Sequence, residues 1–101
     1  MDKIVLTVIT VCSRAGGKLK ATAECILRQT WTELEYLVID GGSEDGTLEY
    51  LEESRIRFQE RGMAFRYLSE PDQGIYDAMN KSVRMASGQW LLFFECGRSA
   101  L

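Results

Sequence analysis

Ile4-Val5-Leu6-Thr7-Val8-Ile9 is nearly continuous in apolar character and rich in β-branched residues. Strands that alternate apolar and polar positions have one wet face, whereas an unbroken run belongs to a strand covered on both faces. The run therefore predicts a central strand, with its end near Cys12. Ser13 to Lys18, containing Gly16 and Gly17, reads as a loop. Leu19, Ala23, Ile26, Leu27 and Thr30 then recur at helical spacing and predict a helix with one apolar face. The apolar run Leu34 to Ile39 contains a second buried strand, Tyr36-Leu37-Val38-Ile39. A second helix is expected from Thr47 to about Ser54, with Leu48 and Leu51 inward and Glu49, Glu52 and Glu53 outward. Ala64 to Leu68 reads as a third strand. Pro71, the only proline, follows it, bars helix there and biases Glu70 towards extended backbone. A third helix is expected from Gly74 to Ala86, with Ile75, Met79 and Val83 spaced by four and Gly88 as a left-handed C-cap. Gln89 to Phe94 completes the pattern as a fourth strand; Trp90 to Phe94 read most simply as core, with some of that apolar surface exposed if a further part of the fold normally packs there.

Strict alternation of strand and helix implies parallel strands joined by right-handed crossovers. The expected fold is α/β: a Rossmann-like parallel sheet of about four strands with three helices. At 101 residues, 46% apolar and 27% charged, the chain suits one domain over residues 1–101. The net charge of −3, with Lys and Arg scattered singly, argues against a nucleic-acid partner, which needs a positive stripe. An anionic ligand would need local help from backbone N–H groups, a lone Arg or a divalent metal. Cys12, Cys25 and Cys96 form an odd set without paired spacing, as expected for free thiols in a reducing compartment. Ile4 to Cys12 is too short to span a bilayer and lacks a secretory cleavage pattern, so a cytoplasmic location without a transmembrane segment is expected.

Candidate chemistry centres on Asp40-Gly41-Gly42-Ser43-Glu44-Asp45-Gly46-Thr47. A carboxylate at the C-terminal end of a strand, followed by a glycine-rich turn, is how open α/β sheets present a ligand site. The glycines adopt positive φ without penalty, and Asp45 or Gly46 is placed to cap the following helix. Taken alone, the loop reads more readily as a capped strand-to-helix connection with no ligand.

Four segments together are more specific. They are Val8-Ile9-Thr10-Val11-Cys12; Ile26-Leu27-Arg28-Gln29-Thr30-Trp31; Glu35 to Thr47; and Ser69-Glu70-Pro71-Asp72-Gln73-Gly74-Ile75-Tyr76-Asp77-Ala78-Met79-Asn80-Lys81, followed by Ala86-Ser87-Gly88. In this order they resemble the N-terminal, nucleotide-binding portion of a family 2 glycosyltransferase with the GT-A fold. The resemblance implies a nucleotide-sugar site over the ends of the first two strands. Asp40 would accept a hydrogen bond from the base imide, and the main chain from Thr10 through Val11 to Cys12 would supply further contacts, with Arg14 and Gly41 nearby. Asp72, Asp77 and Asn80 would close over the nucleotide or tie their segment to the sheet. Asp72 also suits a helix N-cap, and Asp77 the first-turn dipole.

The resemblance further implies inverting transfer from a UDP-sugar to a glycan acceptor in polysaccharide or cell-envelope synthesis, placing the protein in the cytoplasm or at the inner face of the membrane. It implies a divalent cation, Mg or Mn, bridging the diphosphate. At the position of the family's Asp-X-Asp cluster this chain has Phe94-Glu95-Cys96-Gly97-Arg98. Glu95 keeps one oxygen ligand, Gly97 supplies none, and Arg98 brings a positive charge. Ser13-Arg14 replaces a Tyr-Asn pair, and Gln73 replaces Lys or Arg. No counterpart of the acceptor-binding half or the catalytic base is found, so the chain by itself is expected to show little or no transfer. A dehydrogenase would need Gly-X-Gly-X-X-Gly after the first strand, and Ser13 to Lys18 lacks it. The remaining alternative is a non-catalytic remnant that binds uridine nucleotides, or one that self-associates into a homo-oligomer through an uncovered sheet edge.

Overall fold

The computed structural model describes residues 6–12, 17–28, 33–41, 46–70 and 75–93. Strand and helix alternate as β1 (Leu6–Cys12), α1 (Gly17–Leu27), β2 (Leu34–Asp40), α2 (Thr47–Glu60), β3 (Ala64–Ser69), α3 (Ile75–Met85) and β4 (Trp90–Phe93). All three pairings are parallel, in the order β3-β2-β1-β4. The expected α/β class, strand number and central position of β1 therefore hold. Every residue of β2 is buried, which is why its sequence carries no polar alternation.

Two layers cover the sheet. On one face Val8, Leu34, Tyr36 and Val38 pack against Leu19, Ala23, Ile26 and Leu27 of α1 and Leu51 and Phe58 of α2. Tyr36, Phe58 and Phe65 form an aromatic cluster, with the Phe58 and Phe65 rings stacked at 4.9 Å. On the other face Ile9, Leu37 and Ile39 pack against Ala78 of α3. The chain thus steps from β1 to β3 with its helices on one side, then returns over the opposite side to place β4 beside β1. Right-handed crossovers require that change of side when the direction of travel reverses.

Several expectations need correction. Helix α2 continues to Glu60 instead of stopping near Ser54, because Thr47, Leu51, Ser54 and Phe58 make one continuous buried stripe. Leu48, expected inward, is 45% exposed, since it lies off that stripe. On α3 the buried positions among the described side chains are Ala78 and Ser82, and Val83 is 51% exposed. Small residues let this helix approach the sheet closely, which the larger Met79 and Val83 would prevent. Finally, Trp90, Leu91, Leu92 and Phe93 are all exposed, from 40% to 68%. They lie on an edge strand that the described helices leave uncovered, so apolar character there does not mean burial.

Gly88 is not a left-handed cap either. Among the described residues the positive-φ glycines are Gly46 and Gly62. Gly88 instead sits against β1, where an added Cβ would lie 2.7 Å from the Thr7 nitrogen and 2.8 Å from the Leu6 carbonyl carbon. Its N–H donates to Thr7 Oγ1 at 2.8 Å, and Thr7 Oγ1 donates to the buried Glu35 at 3.2 Å. Glu35 also accepts from the Ser87 N–H at 3.0 Å and from Arg66 Nε at 2.8 Å. Arg66 reaches on to the Met85 carbonyl. This polar cluster fastens the α3–β4 connection under the sheet, at the end opposite the candidate site.

Candidate functional site

Between β1 and β4 the chain's direction of travel across the sheet reverses. In open α/β sheets ligands bind beyond the C-terminal strand ends at such a switch. Among the described residues β4 pairs with β1 from Leu6↔Trp90 to Ile9↔Phe93, and β1 itself continues to Cys12. On its other side, β1 ends in register with β2 and β3, so that Cys12, Asp40 and Ser69 stand in one row. Residues paired this way point to the same face. Thr10, paired with Val38, lies one step below on that face, and Tyr36 lies a further step down.

The row is joined by side-chain bonds. Ser69 Oγ donates to Asp40 Oδ2 at 2.7 Å, and the Cys12 thiol points at Oδ1 from 3.8 Å. Beneath them Tyr36 donates to Thr10 Oγ1 at 2.8 Å. Main-chain bonds run outside the row: the Gly41 N–H donates to the Cys12 carbonyl at 2.9 Å, and the Glu70 N–H to the Asp40 carbonyl at 3.0 Å. Asp40 is fully buried. Both of its oxygens thus lie at the join of three strands, and the Ser69 bond is the shorter, stronger contact.

Val11 points away from this row, towards the cluster of Ile9, Leu37 and Ile39. Any ligand contact from it would come through its main chain, as expected. Gly46 caps α2 in the left-handed conformation, with φ of 87° and no side-chain cap bond. On α3, Asp77 is paired within its helix to Lys81 Nζ at 3.3 Å, and Lys81 reaches Glu70 at 2.9 Å. The Glu70 hydrogen bond chiefly raises the Lys81 pKa, so the ammonium stays charged through the neutral range. Asn80 is exposed on the same helix. Arg14, Asp72 and Glu95 lie outside the described residues.

The sequence reading omitted Ser69, Glu70 and Lys81 as individual participants. The register supplies the missing signal: a hydroxyl residue aligned with a strand-end carboxylate is its nearest available donor. Among the described residues, no three metal-ligating side chains converge. Cys12 and Cys25 form no disulfide. No described helix is long and apolar enough to cross a membrane. Shallow hollows of about 320 Å³ between α1 and α2 and about 410 Å³ beside β3 both lie away from Asp40.

An open parallel sheet with helices on both faces and a topological switch defines the class of doubly wound α/β domains. Within that class the chain belongs to glycosyl transferase family 2, whose model matches residues 7–96. A PGL/p-HBAD biosynthesis glycosyltransferase of Mycobacterium bovis is 37% identical over 89 residues, covering 88% of this chain and 34% of the relative. The glycosyltransferase YibD of Escherichia coli is 29% identical over 90 residues, covering 89% of this chain and 25% of the relative. The chain thus spans about a third or less of the length of these relatives. Among solved structures, the mannosyltransferase PcManGT of Pyrobaculum calidifontis, in complex with GDP-Man and Mn²⁺, superposes with a TM-score of 0.84 at 21% identity, over 96% of this chain and 28% of the other. Staphylococcus aureus TarS, residues 1–349 in complex with UDP, gives 0.74 at 21% identity, over 92% and 27%. The fold is that of the N-terminal part of GT-A glycosyltransferases.

Proposed function

We propose that this chain is the nucleotide-sugar-binding part of an inverting glycosyltransferase that uses a UDP-sugar in polysaccharide or cell-envelope synthesis. The observation that carries this reading is the row Cys12, Asp40 and Ser69 beside the switch between β1 and β4. An ionised carboxylate accepts hydrogen bonds and donates none, so it selects a base edge that presents an N–H. Uracil presents one in its N3 imide, and guanine in its N1 lactam. Ser69 Oγ, bound to Oδ2, orients the group. The Thr10 to Cys12 main chain, Gly41 and Arg14 would complete the nucleoside contacts, and Asp72, Asp77 and Asn80 the opposite wall.

A divalent cation, when bound, would neutralise the diphosphate, and Glu95 is the one carboxylate matching that position. The 101 residues are expected to bind nucleotide without transferring sugar. Robust Mn²⁺-dependent transfer by the isolated chain would overturn that expectation.

Titration calorimetry with UDP, and with GDP for comparison, tests the base assignment. Asp40→Asn exchanges an acceptor oxygen for a donor at constant size, and should weaken UDP binding about tenfold or more while circular dichroism stays native. Unchanged UDP affinity in the Asn variant would remove Asp40 from the site.

A second reading rests on β4, whose four apolar side chains are exposed on an edge strand. Under it the chain binds no nucleotide and self-associates through that edge. Light scattering and thermal melts with UDP separate the two. A UDP-dependent rise in melting temperature supports the first, because ligand that binds only the native state must stabilise it. A UDP-silent chain whose mass grows with concentration supports the second.

A further inference from the structure

Resting on the nucleotide-binding reading, we infer that Lys81 is a positioning residue that locks the α3 wall of the site to the strand-end row without touching the nucleotide. Its ammonium lies 2.9 Å from Glu70 and 3.3 Å from Asp77, and its side chain is only 20% exposed. Glu70 is itself bound to the row, because its N–H donates to the Asp40 carbonyl at 3.0 Å. The residue before it, Ser69, holds the Asp40 carboxylate at 2.7 Å. One cation therefore closes a path from Asp40 through Ser69 and Glu70 to the helix that bears Asp77 and Asn80.

Two carboxylates converge on this one ammonium, so the cluster carries a net charge of −1. That sign makes a direct phosphate contact unfavourable and favours a holding role. Lys81 sits within the Tyr76-Asp77-Ala78-Met79-Asn80-Lys81 segment, and the proposed contacts leave it without a task of its own. Exposed ion pairs contribute little to global stability, so a locking role should show in affinity rather than in folding.

Lys81→Met and Lys81→Arg test this against the unaltered chain. The Met variant should bind UDP and uridine more weakly, both by about fivefold to tenfold, because a displaced wall affects the nucleoside itself. The Arg variant keeps both ion pairs in reach and should stay within about twofold. Melting temperatures of all three should agree within about 3 °C. In the ligand-free chain, amide hydrogen exchange at Glu70 should quicken about fivefold in the Met variant and remain unchanged in the Arg variant. Loss of UDP but not uridine affinity would make Lys81 a phosphate ligand and overturn the inference. Unchanged affinity for both, or a collapse in melting temperature, would also overturn it. If the unaltered chain binds neither compound, the nucleotide reading fails. The exchange result then still decides whether Lys81 holds Glu70, and unchanged exchange refutes it.

Discussion

Phe58→Ala is expected to cost about 3–5 kcal/mol of unfolding free energy, seen as a lower urea midpoint with an unchanged slope. Phe58 is fully buried and stacks on Phe65 at 4.9 Å, with Tyr36 tilted against it at 5.4 Å. Truncation removes the aromatic contacts from both neighbours and leaves a cavity that α2 and the sheet close only in part. Phe58→Leu retains most of the volume and should cost clearly less, about 1–2 kcal/mol. Equal losses for the two variants would mean that ring stacking, and not filled volume, sets the stability of this layer.

Gly88→Ala is the second large effect, at about 2–3 kcal/mol by the same measurement. The new methyl would meet the Thr7 nitrogen at 2.7 Å and the Leu6 carbonyl carbon at 2.8 Å. Both belong to the main chain of β1, held by ladders on two sides, so neither yields as a side chain would. The Gly88 N–H bond to Thr7 Oγ1 should be lost with the displacement. Thr7→Ala removes the hydroxyl but leaves those two backbone atoms in place. The double variant should therefore recover little of the Gly88→Ala loss, and a full rescue would show that the hydroxyl was the obstacle.

These two positions show how far the chain could be read before its structure. Buried strands announce themselves because burial on both faces leaves few polar positions, and β1 and β2 were legible for that reason, whereas β3 is a half-buried edge strand that carries Arg66. Helix α2 was cut short because its inward stripe includes Thr47 and Ser54, whose polarity hides a buried face from an apolar count. The error on Gly88 has a different origin. A glycine past a helix end usually serves dihedral freedom, but here it serves the close passage of two backbones, which depends on tertiary placement. For β4 the composition is right for a core strand, yet position in the sheet decides exposure, and strand order is not written in any one segment.

At the site, Asp40 was legible as a carboxylate at a strand end. Its buried setting was not, because Ser69 and Cys12 become its neighbours only through the registers of three strands. Lys81 was hidden in the same way. Its partner Asp77 lies one turn away on the helix, but Glu70 comes alongside only once β3 and α3 have packed.

The order β3-β2-β1-β4 also governs how the chain is made. Synthesis on the ribosome delivers β1, β2 and β3 in sequence, so these three strands and their two helices have neighbours available as they emerge. The other flank of the first strand must wait for the last one, some eighty residues later by the Thr7↔Leu91 pairing. During that interval a nascent chain presents an open row of peptide groups on its central strand. That window closes when Gly88 seats against Thr7.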